Sequence, residues 1–282
     1  MALRKFVCTV LLGAAILGKS TAPSLAEDPK PKKLLVLTFC GGFKHSCLEI
    51  AEKTIAQIGR DSGVFEAEAL NLWQLRPDLI NLSFLTPEYM NRYDGFLFFT
   101  TTGDNVKATE EQKQGILNAI KDGKALIGTH TTTDSFYNWP EWGEMVGAYF
   151  DGHPWNAGDP PVTLKVEDKN HPATAMLGDE WVIQDEIYQF REPYSREKLH
   201  VLLSLDNSKT DMEKGDRIHR GKDGDYAVAW CREYGKGKVF YTALGHREDV
   251  WTNPTFQAHL LGGIKWAFGL AEGDATPSAK LK

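Results

Sequence analysis

Short apolar runs alternate with amphipathic stretches through the first half of the chain. Unbroken apolar segments of strand length occur at residues 34–39, 95–101 and 124–128, and residues 65–70 form a further candidate strand. Runs without polar alternation are typical of strands that are buried on both faces of a sheet. These segments therefore predict the strands of a covered, parallel sheet.

The stretches between these strands have the spacing of amphipathic helices. Residues 109–123 show it most clearly, because Thr109 and Gln112 form a capping-box pattern and apolar residues follow at helical spacing. Residues 47–63 carry a similar apolar stripe. The alternation of strands and helices predicts a parallel sheet with helices on both faces.

The second half of the chain is richer in strands and less regular. Its candidate strands are residues 161–168, 181–190, 200–205, 226–232 and 238–244. Some of these are expected to form an inserted or antiparallel edge. A last helix is predicted to begin at Asn253-Pro254, a cap followed by proline. We expect one domain over residues 34–270 and a disordered tail at residues 271–282.

The amino terminus has the pattern of a secretory signal peptide. Arg4 and Lys5 precede a short apolar stretch, and small residues ending at Ala26 predict cleavage after that residue. An uncleaved membrane anchor is the alternative, but the apolar stretch is short for about 30 Å of hydrocarbon. We expect a signal peptide at residues 1–26, a charged linker at 27–33, and a periplasmic or secreted protein.

Composition and charge narrow the class of ligand. The chain has 282 residues, 42% hydrophobic and 25% charged, with a formal net charge of −6. Removal of residues 1–26 takes away three basic residues and no acid, so the net charge becomes −9. Such an acidic protein is a poor partner for nucleic acid or an anionic membrane. A small neutral or polar molecule is the better ligand.

Three cysteines remain beyond the predicted signal peptide: Cys40, Cys47 and Cys231. Their number is odd and no C-x-x-C pair occurs, so neither a disulfide framework nor a thiolate metal site is indicated. A bridge between Cys40 and Cys47 stays open for an oxidising compartment.

Polar residues gather where the predicted strands end. His45 follows the first strand, His130 follows the fourth, and His246 follows the strand at residues 238–244. Ligands of an open parallel sheet bind beyond the carboxyl ends of its strands. We therefore expect these three histidines to line one pocket.

Further candidates lie in the neighbouring loops. They are Asp104, Asn105, Asp134, His153 and Glu186, with Tyr137 and Trp155 as aromatic side chains that suit the apolar faces of sugars. Each residue also has a structural interpretation, as a turn residue, a helix cap or a part of the core.

Several motifs, in order over about residues 33–270, resemble the ThuA-like (trehalose utilisation) family: GGFKHS, GTHTTTDSFY, GHPW, DEIY and AWCREYGKGKVFYTALGH. The resemblance implies a class I glutamine amidotransferase-like fold, a flavodoxin-like three-layer α/β/α sandwich, and a role in the catabolism of trehalose or keto-sugar derivatives. It implies site residues at His45, His130, His246, Asp134, His153 and Glu186. In the amidotransferases a nucleophilic cysteine follows this strand. Since His130 stands about there, we do not expect glutaminase activity.

Three hypotheses for function follow. The first is an enzyme that acts on a disaccharide or keto-sugar by acid–base chemistry without a cofactor, with His130 or His45 as base and Glu186 or His246 as its partner. The second is a metal-dependent enzyme, in which these same four residues hold zinc or another divalent ion. The third is a carbohydrate-binding module without turnover.

Overall fold

The computed structural model describes residues 30–99, 102, 103 and 106–281. The predicted signal peptide lies outside the described residues, as do Asp104 and Asn105. Within the described ranges, no helix is both long and apolar enough to cross a membrane.

The first half of the chain alternates strands and helices, as its apolar pattern predicts. Its strands are β1 (Lys32–Thr38), β2 (Phe65–Ala69), β3 (Gly95–Phe99) and β4 (Ala125–Thr129). Its helices are α1 (Leu48–Ser62), α2 (Pro87–Met90) and α3 (Glu110–Lys121). The predicted capping box of Thr109 and Gln112 starts α3, and Gly63 ends α1 in the left-handed region at φ 65°.

The second half contains shorter and more varied elements. Its strands are β5 (Tyr149–Phe150), β6 (Val162–Val166), β7 (Glu180–Ile183), β8 (Phe190–Arg191), β9 (His200–Leu205), β10 (Ala227–Tyr234) and β11 (Gly237–Thr242). Its helices are α4 (Pro140–Val146), α5 (Glu248–Thr252) and α6 (Pro254–Ala267). Asn253 caps α6, as the sequence predicts.

Nine strands form one mixed sheet in the order β2-β1-β3-β4-β11-β10-β9-β6-β7. The pairs from β2 to β11 are parallel, and the pairs from β11 to β7 are antiparallel. Strands β5 and β8 make a separate antiparallel pair. The fold is therefore the predicted α/β sheet with extra strands from the second half. Since β1, β4 and β11 run parallel, the loops that follow them leave the same edge of the sheet.

The predicted strand at residues 181–190 is wrong over its central part. The chain leaves the sheet after β7, and residues 185–189 run as an irregular segment before β8 begins. The acidic side chain of Asp185 accepts hydrogen bonds from backbone N–H groups of another loop, at Gly245 and Arg247. The backbone N–H groups of Ile187 and Gln189 donate to the carbonyls of Trp155 and Gly152, so this segment pairs with another loop and not with a sheet strand.

The expected disordered tail differs from the structure as well. Residues 271–281 run across the end of β9, and the backbone N–H of Ser278 donates to the carbonyl of Leu199 at 2.9 Å. A ring nitrogen of His200 lies 2.6 Å from the carbonyl oxygen of Thr276, and the thiol of Cys231 donates to the Asp274 carbonyl. The polar composition of this segment hides these partners, because they lie far away in the sequence.

Helix α6 carries a histidine inside the core. His259 is fully buried between the rings of Trp181 and Phe240, and its Nδ1 donates to the Ala173 carbonyl at 2.7 Å. Its Nε2 has no hydrogen-bond partner among the described residues. Burial lowers the pKa of His259 from its ordinary 6.5 to about 4.

This histidine predicts a loss of stability in acid. Below pH 6.5 an unfolded chain protonates His259 while the folded chain does not, so the free energy of unfolding falls as the pH drops towards 4. The variant His259→Leu removes this contribution. Between pH 7 and 4 its free energy of unfolding should therefore fall less than that of the wild type, by a difference of up to about 3 kcal/mol. Urea denaturation at a series of pH values measures this difference. The exposed His219→Leu is the control, and parallel curves for His259→Leu and wild type contradict the prediction.

Candidate functional site

The turn after β4 fixes the first functional side chain. The chain passes from Thr129 directly into a 3-10 turn, His130–Thr133, and His130 has a φ of 46°. This left-handed conformation is unfavourable for a residue with a side chain, and such strain is typical of functional sites. The Thr132 hydroxyl donates to the Phe98 carbonyl at 2.7 Å, and the Tyr241 hydroxyl donates to the His130 carbonyl at 2.7 Å. The polar residues after the strand therefore hold the strained turn.

The ring of His130 is buried and has a defined tautomer. Its Nδ1 lies 2.9 Å from the carbonyl oxygen of Ala243, which follows β11. A carbonyl only accepts, so Nδ1 carries the proton, and Nε2 of the neutral ring has a free lone pair. Burial, together with the neighbouring His45 and His246, lowers the pKa of His130 well below 6.5. His130 is therefore a neutral imidazole that presents Nε2.

Two further imidazoles converge on that nitrogen. His130 Nε2 lies 3.2 Å from His45 Nε2 and 3.2 Å from His246 Nδ1. The rings of His45 and His246 stand nearly perpendicular to the His130 ring, at 89° and 83°. The Tyr188 ring stacks on His130 instead, with its hydroxyl 3.0 Å from Nε2. The structure thus brings together the three histidines that follow β1, β4 and β11.

His45 forms one wall of the cluster. Burial, with a contribution from His246, lowers its pKa from 6.5 to about 4, so the ring is neutral at physiological pH. Its Nδ1 is buried and has no hydrogen-bond partner within the described part of the chain.

Glu186 connects the cluster to the surface. Its Oε2 lies 3.2 Å from His246 Nδ1 and 3.6 Å from His130 Nε2, and its Oε1 lies 3.4 Å from His153 Nδ1. Burial acts to lower the pKa of His246, but the hydrogen bond and the charge of Glu186 outweigh it and raise that pKa. The His153 side chain is 44% exposed. Glu186 and His153 therefore mark the open side, and His130 marks the bottom.

Asp185, the neighbour of Glu186, holds the loop that carries His246. Its carboxylate accepts from the backbone N–H of Gly245 at 2.6 Å and from that of Arg247 at 3.1 Å. Burial raises the pKa of Asp185 to about 6, against the effect of these hydrogen bonds. The two bonds flank His246 in the sequence, so Asp185 fixes the backbone on both sides of it.

An exposed aromatic ring borders the open side. Phe43 is 65% exposed, its ring centroid lies 4.9 Å from that of His45, and it stacks on His246 at 6.5 Å. A shallow cavity of about 360 Å³ lies alongside, lined by Ser46 and residues 246–249. A flat, solvent-facing ring beside polar groups is a suitable surface for an amphipathic ligand.

Some residues that the sequence suggested for substrate binding do not join the cluster. Trp155 is buried, its indole donates to the Asp211 carbonyl at 2.8 Å, and its ring packs on Tyr226. It belongs to the core and offers no free face to a sugar. Tyr137 donates a hydrogen bond from its hydroxyl to Asp134.

Sequence reasoning missed Tyr188, Phe43 and the role of Asp185. A signal for Tyr188 does exist, since Glu186 and Tyr188 are two residues apart in the strand predicted at residues 181–190, where they would share a face. The signal for Phe43 is weaker, because an aromatic residue in a glycine-rich turn is as readily a core residue. Asp185 bonds only to backbone groups, which carry no sequence pattern.

The cysteines do not supply a nucleophile to this site. Burial raises the pKa of Cys47 to about 12, and its thiol donates to the Gly245 carbonyl at 3.3 Å. A protonated thiol in such surroundings is inert. No disulfide joins Cys40 and Cys47 in the described structure.

The arrangement supports two kinds of chemistry. The ligand atoms of His45, His130 and His246 lie within 4.8 Å of one another, which is compatible with a shared metal ion. The same imidazoles, neutral at His45 and His130 and paired with Glu186 at His246, also form a set of acid and base groups at near-neutral pH.

Comparison with known proteins gives one family and several related folds. The sequence model of the ThuA family, described as trehalose utilisation, matches residues 33–267. No curated protein matches the chain.

Solved structures of ThuA-like proteins have a similar fold. One from Bacteroides uniformis has a TM-score of 0.66 and 20% identity, and the match covers 92% of this chain and all of that one. One from Parabacteroides merdae has a TM-score of 0.64 and 21% identity, covering 87% of this chain and 93% of that one. A cytoplasmic protein from Salmonella typhimurium has a TM-score of 0.53 and 12% identity, covering 84% and 98%. At these identities the likeness is one of fold.

The loop held by Asp185 predicts the effect of removing one carboxylate oxygen. In Asp185→Asn, one oxygen becomes an NH₂ group that faces a backbone N–H, so one of the two hydrogen bonds is lost. We expect the free energy of unfolding to fall by about 1–3 kcal/mol. Urea denaturation measures this value, and hydrogen exchange of the Gly245 and Arg247 amides measures the local loosening.

The matched control is Asp249→Asn in the same loop. Asp249 is exposed and pairs only with the side chain of Arg247 in the bonds described here, so its removal should cost less than about 1 kcal/mol. Equal effects of the two substitutions contradict the positioning role of Asp185.

Proposed function

This chain belongs to the ThuA (trehalose utilisation) family, and we propose that it is an enzyme that acts on a disaccharide or keto-sugar at the cluster of His45, His130, His246 and Glu186. The predicted signal peptide directs this activity to the periplasm or the exterior. The observation that supports the proposal most strongly is the position of Glu186, whose Oε2 faces His130 and the half-buried His246 and whose Oε1 faces the more exposed His153.

Glu186 is the acid–base group that this geometry favours. Its Oε1 faces the partly exposed ring of His153, whereas the His130 ring is fully buried beneath His45 and His246. A carbonyl group in a sugar ring acidifies the neighbouring C–H bond, and a carboxylate beside it can accept that proton. His246 shares a hydrogen bond with Glu186 and so can hold a proton next to a departing glycosidic oxygen.

Phe43 supplies the binding surface in this proposal. Sugars expose apolar C–H faces as well as hydroxyls, and an aromatic ring packs well on the first while polar groups bind the second. Phe43 is exposed directly beside His45 and His246, so a sugar on its ring lies near the reacting groups.

The same site argues against glutamine hydrolysis. A strained turn after a central strand supports the proposed relation to the class I glutamine amidotransferases, whose nucleophilic cysteine occupies such a turn. Here the strained residue is His130, at φ 46°. Cys47 contacts the loop of His246 as a protonated thiol. Without a thiolate at the turn, the acyl-enzyme reaction has no nucleophile.

Removal of the proposed acid–base group tests the proposal. The variant Glu186→Gln keeps the size of the side chain and loses its proton-transfer capacity, so turnover should fall about 100-fold or more. Product analysis with a panel of disaccharides, trehalose among them, and their 3-keto forms identifies the substrate and measures turnover. The control is Glu197→Gln, an exposed residue that belongs neither to the cluster nor to the cavity beside it and should keep wild-type turnover. Sugar binding without turnover in the wild type supports the binding module and sinks the enzyme proposal.

Phe43 gives a second, independent prediction. In Phe43→Ala the contact with the apolar face of the sugar is lost while the acid–base groups stay in place, so KM should rise about tenfold with kcat nearly unchanged. Phe43→Tyr keeps the ring and should behave as wild type. Steady-state kinetics on the substrate found above separate these effects, and an unchanged KM in Phe43→Ala removes the platform from the proposal.

A further inference from the structure

We propose that His45, His130 and His246 bind one divalent transition-metal ion of the zinc class, with Glu186 beside its open coordination position. The ligand atoms are His45 Nε2, His130 Nε2 and His246 Nδ1. This inference goes beyond the proposed function and does not depend on which sugar is the substrate.

The distances between the nitrogens suit one ion. Zinc–imidazole bonds of about 2.0–2.1 Å at tetrahedral angles place neighbouring ligand nitrogens about 3.3–3.4 Å apart. His130 Nε2 lies 3.2 Å from each of the other two nitrogens, and all three atoms lie within 4.8 Å of one another. Small movements of the His45 and His246 rings therefore close the set around an ion.

Hydrogen bonding alone accounts poorly for this convergence. His130 Nε2 has one lone pair, which lies in the plane of its ring. Tyr188 stacks on the ring at 30°, so its hydroxyl approaches Nε2 from one face. His45 Nε2 and His246 Nδ1 both remain at 3.2 Å from this nitrogen. An ion gives all three nitrogens one shared partner.

The surroundings of His130 are those of a preformed ligand. Histidines that bind metals almost always donate their second ring N–H to a carbonyl or carboxylate, which fixes the ring and the tautomer. His130 does so through Nδ1 to the Ala243 carbonyl at 2.9 Å. The loop of His246 is likewise fixed, through the two hydrogen bonds to Asp185.

The donor set selects the class of ion. Three imidazoles suit Zn²⁺ and its transition-metal neighbours, whereas Mg²⁺ and Ca²⁺ prefer oxygen ligands. Glu186 Oε2 lies 3.2 Å from His246 Nδ1 and 3.6 Å from His130 Nε2, so it borders the fourth position. With an ion bound, His246 Nδ1 would have lost its proton to solvent, so the acid–base role would fall to Glu186 alone, beside the fourth position.

Metal titration of the full chain tests this inference. The protein is prepared without a polyhistidine tag, stripped with a chelator and titrated with Zn²⁺ by calorimetry and with Co²⁺ by visible absorption. We expect one ion per chain, and cobalt bands of a four- or five-coordinate site that Zn²⁺ abolishes by competition. Elemental analysis of the untreated protein provides an independent measurement.

Variants locate the site. His45→Ala and His246→Ala should each weaken zinc binding about 100-fold or more, since each removes one of three ligands. His153→Ala, beside Glu186, and His219→Ala, which loses a side-chain contact with Asp151, should bind zinc as the wild type does. Thermal denaturation of each variant shows whether it is folded, and two ligand variants from different loops keep the test valid if one of them fails to fold.

Two results overturn the inference: a folded wild type that binds neither ion, or folded His45→Ala and His246→Ala variants that both bind zinc with wild-type affinity. These outcomes are distinct from failure of the proposed function. An ion bound at the three histidines without activity on any sugar contradicts the enzyme proposal alone. Full sugar turnover by a chain that binds no ion contradicts the metal proposal alone.

Discussion

The hydrogen bond from His130 Nδ1 to the Ala243 carbonyl governs the chemistry of this site. It joins the ends of β4 and β11, two neighbouring parallel strands, and it decides which nitrogen of the buried ring carries the proton. If that proton moved to Nε2, the ring would present a donor to His45 and His246, and His130 could act neither as a base nor as a metal ligand through that atom. A single backbone carbonyl thus sets the chemical character of the cluster.

The adjacent acids Asp185 and Glu186 divide two tasks between them. Asp185 is buried, and its two carboxylate oxygens accept hydrogen bonds from backbone N–H groups of the His246 loop. The carboxylate oxygens of Glu186 instead contact the rings of His246, His130 and His153. The segment that carries both acids lies outside the sheet, between β7 and β8, and there both side chains reach the loop that follows β11. The break between β7 and β8 is therefore part of the site.

The sequence predicted the strands that carry the three histidines better than the side chains that surround them. Apolar runs, caps and turn residues predict β1, β4 and β11 because each depends on neighbours in the chain, and parallel strands then place His45, His130 and His246 at one edge. Tyr188, Phe43 and Asp185 depend on partners far away in sequence. Trp155 is the reverse case. An aromatic residue in a polar loop suggests a surface for a sugar, but the indole of Trp155 is buried and donates to the Asp211 carbonyl, a partner far away in the sequence.

The cluster also contains features that lower the stability of the folded state. A left-handed residue with a side chain is unfavourable by about 1–3 kcal/mol, and a buried nitrogen without a partner costs about as much. Both occur here, in His130 and in His45 Nδ1. The core does not need them, because the large buried rings of Trp142, Trp230 and Trp251 already fill the space beside the sheet. The strain therefore lies beside His130 Nε2, where His45, His246 and Tyr188 converge, and backbone strain of this kind is typical of functional sites.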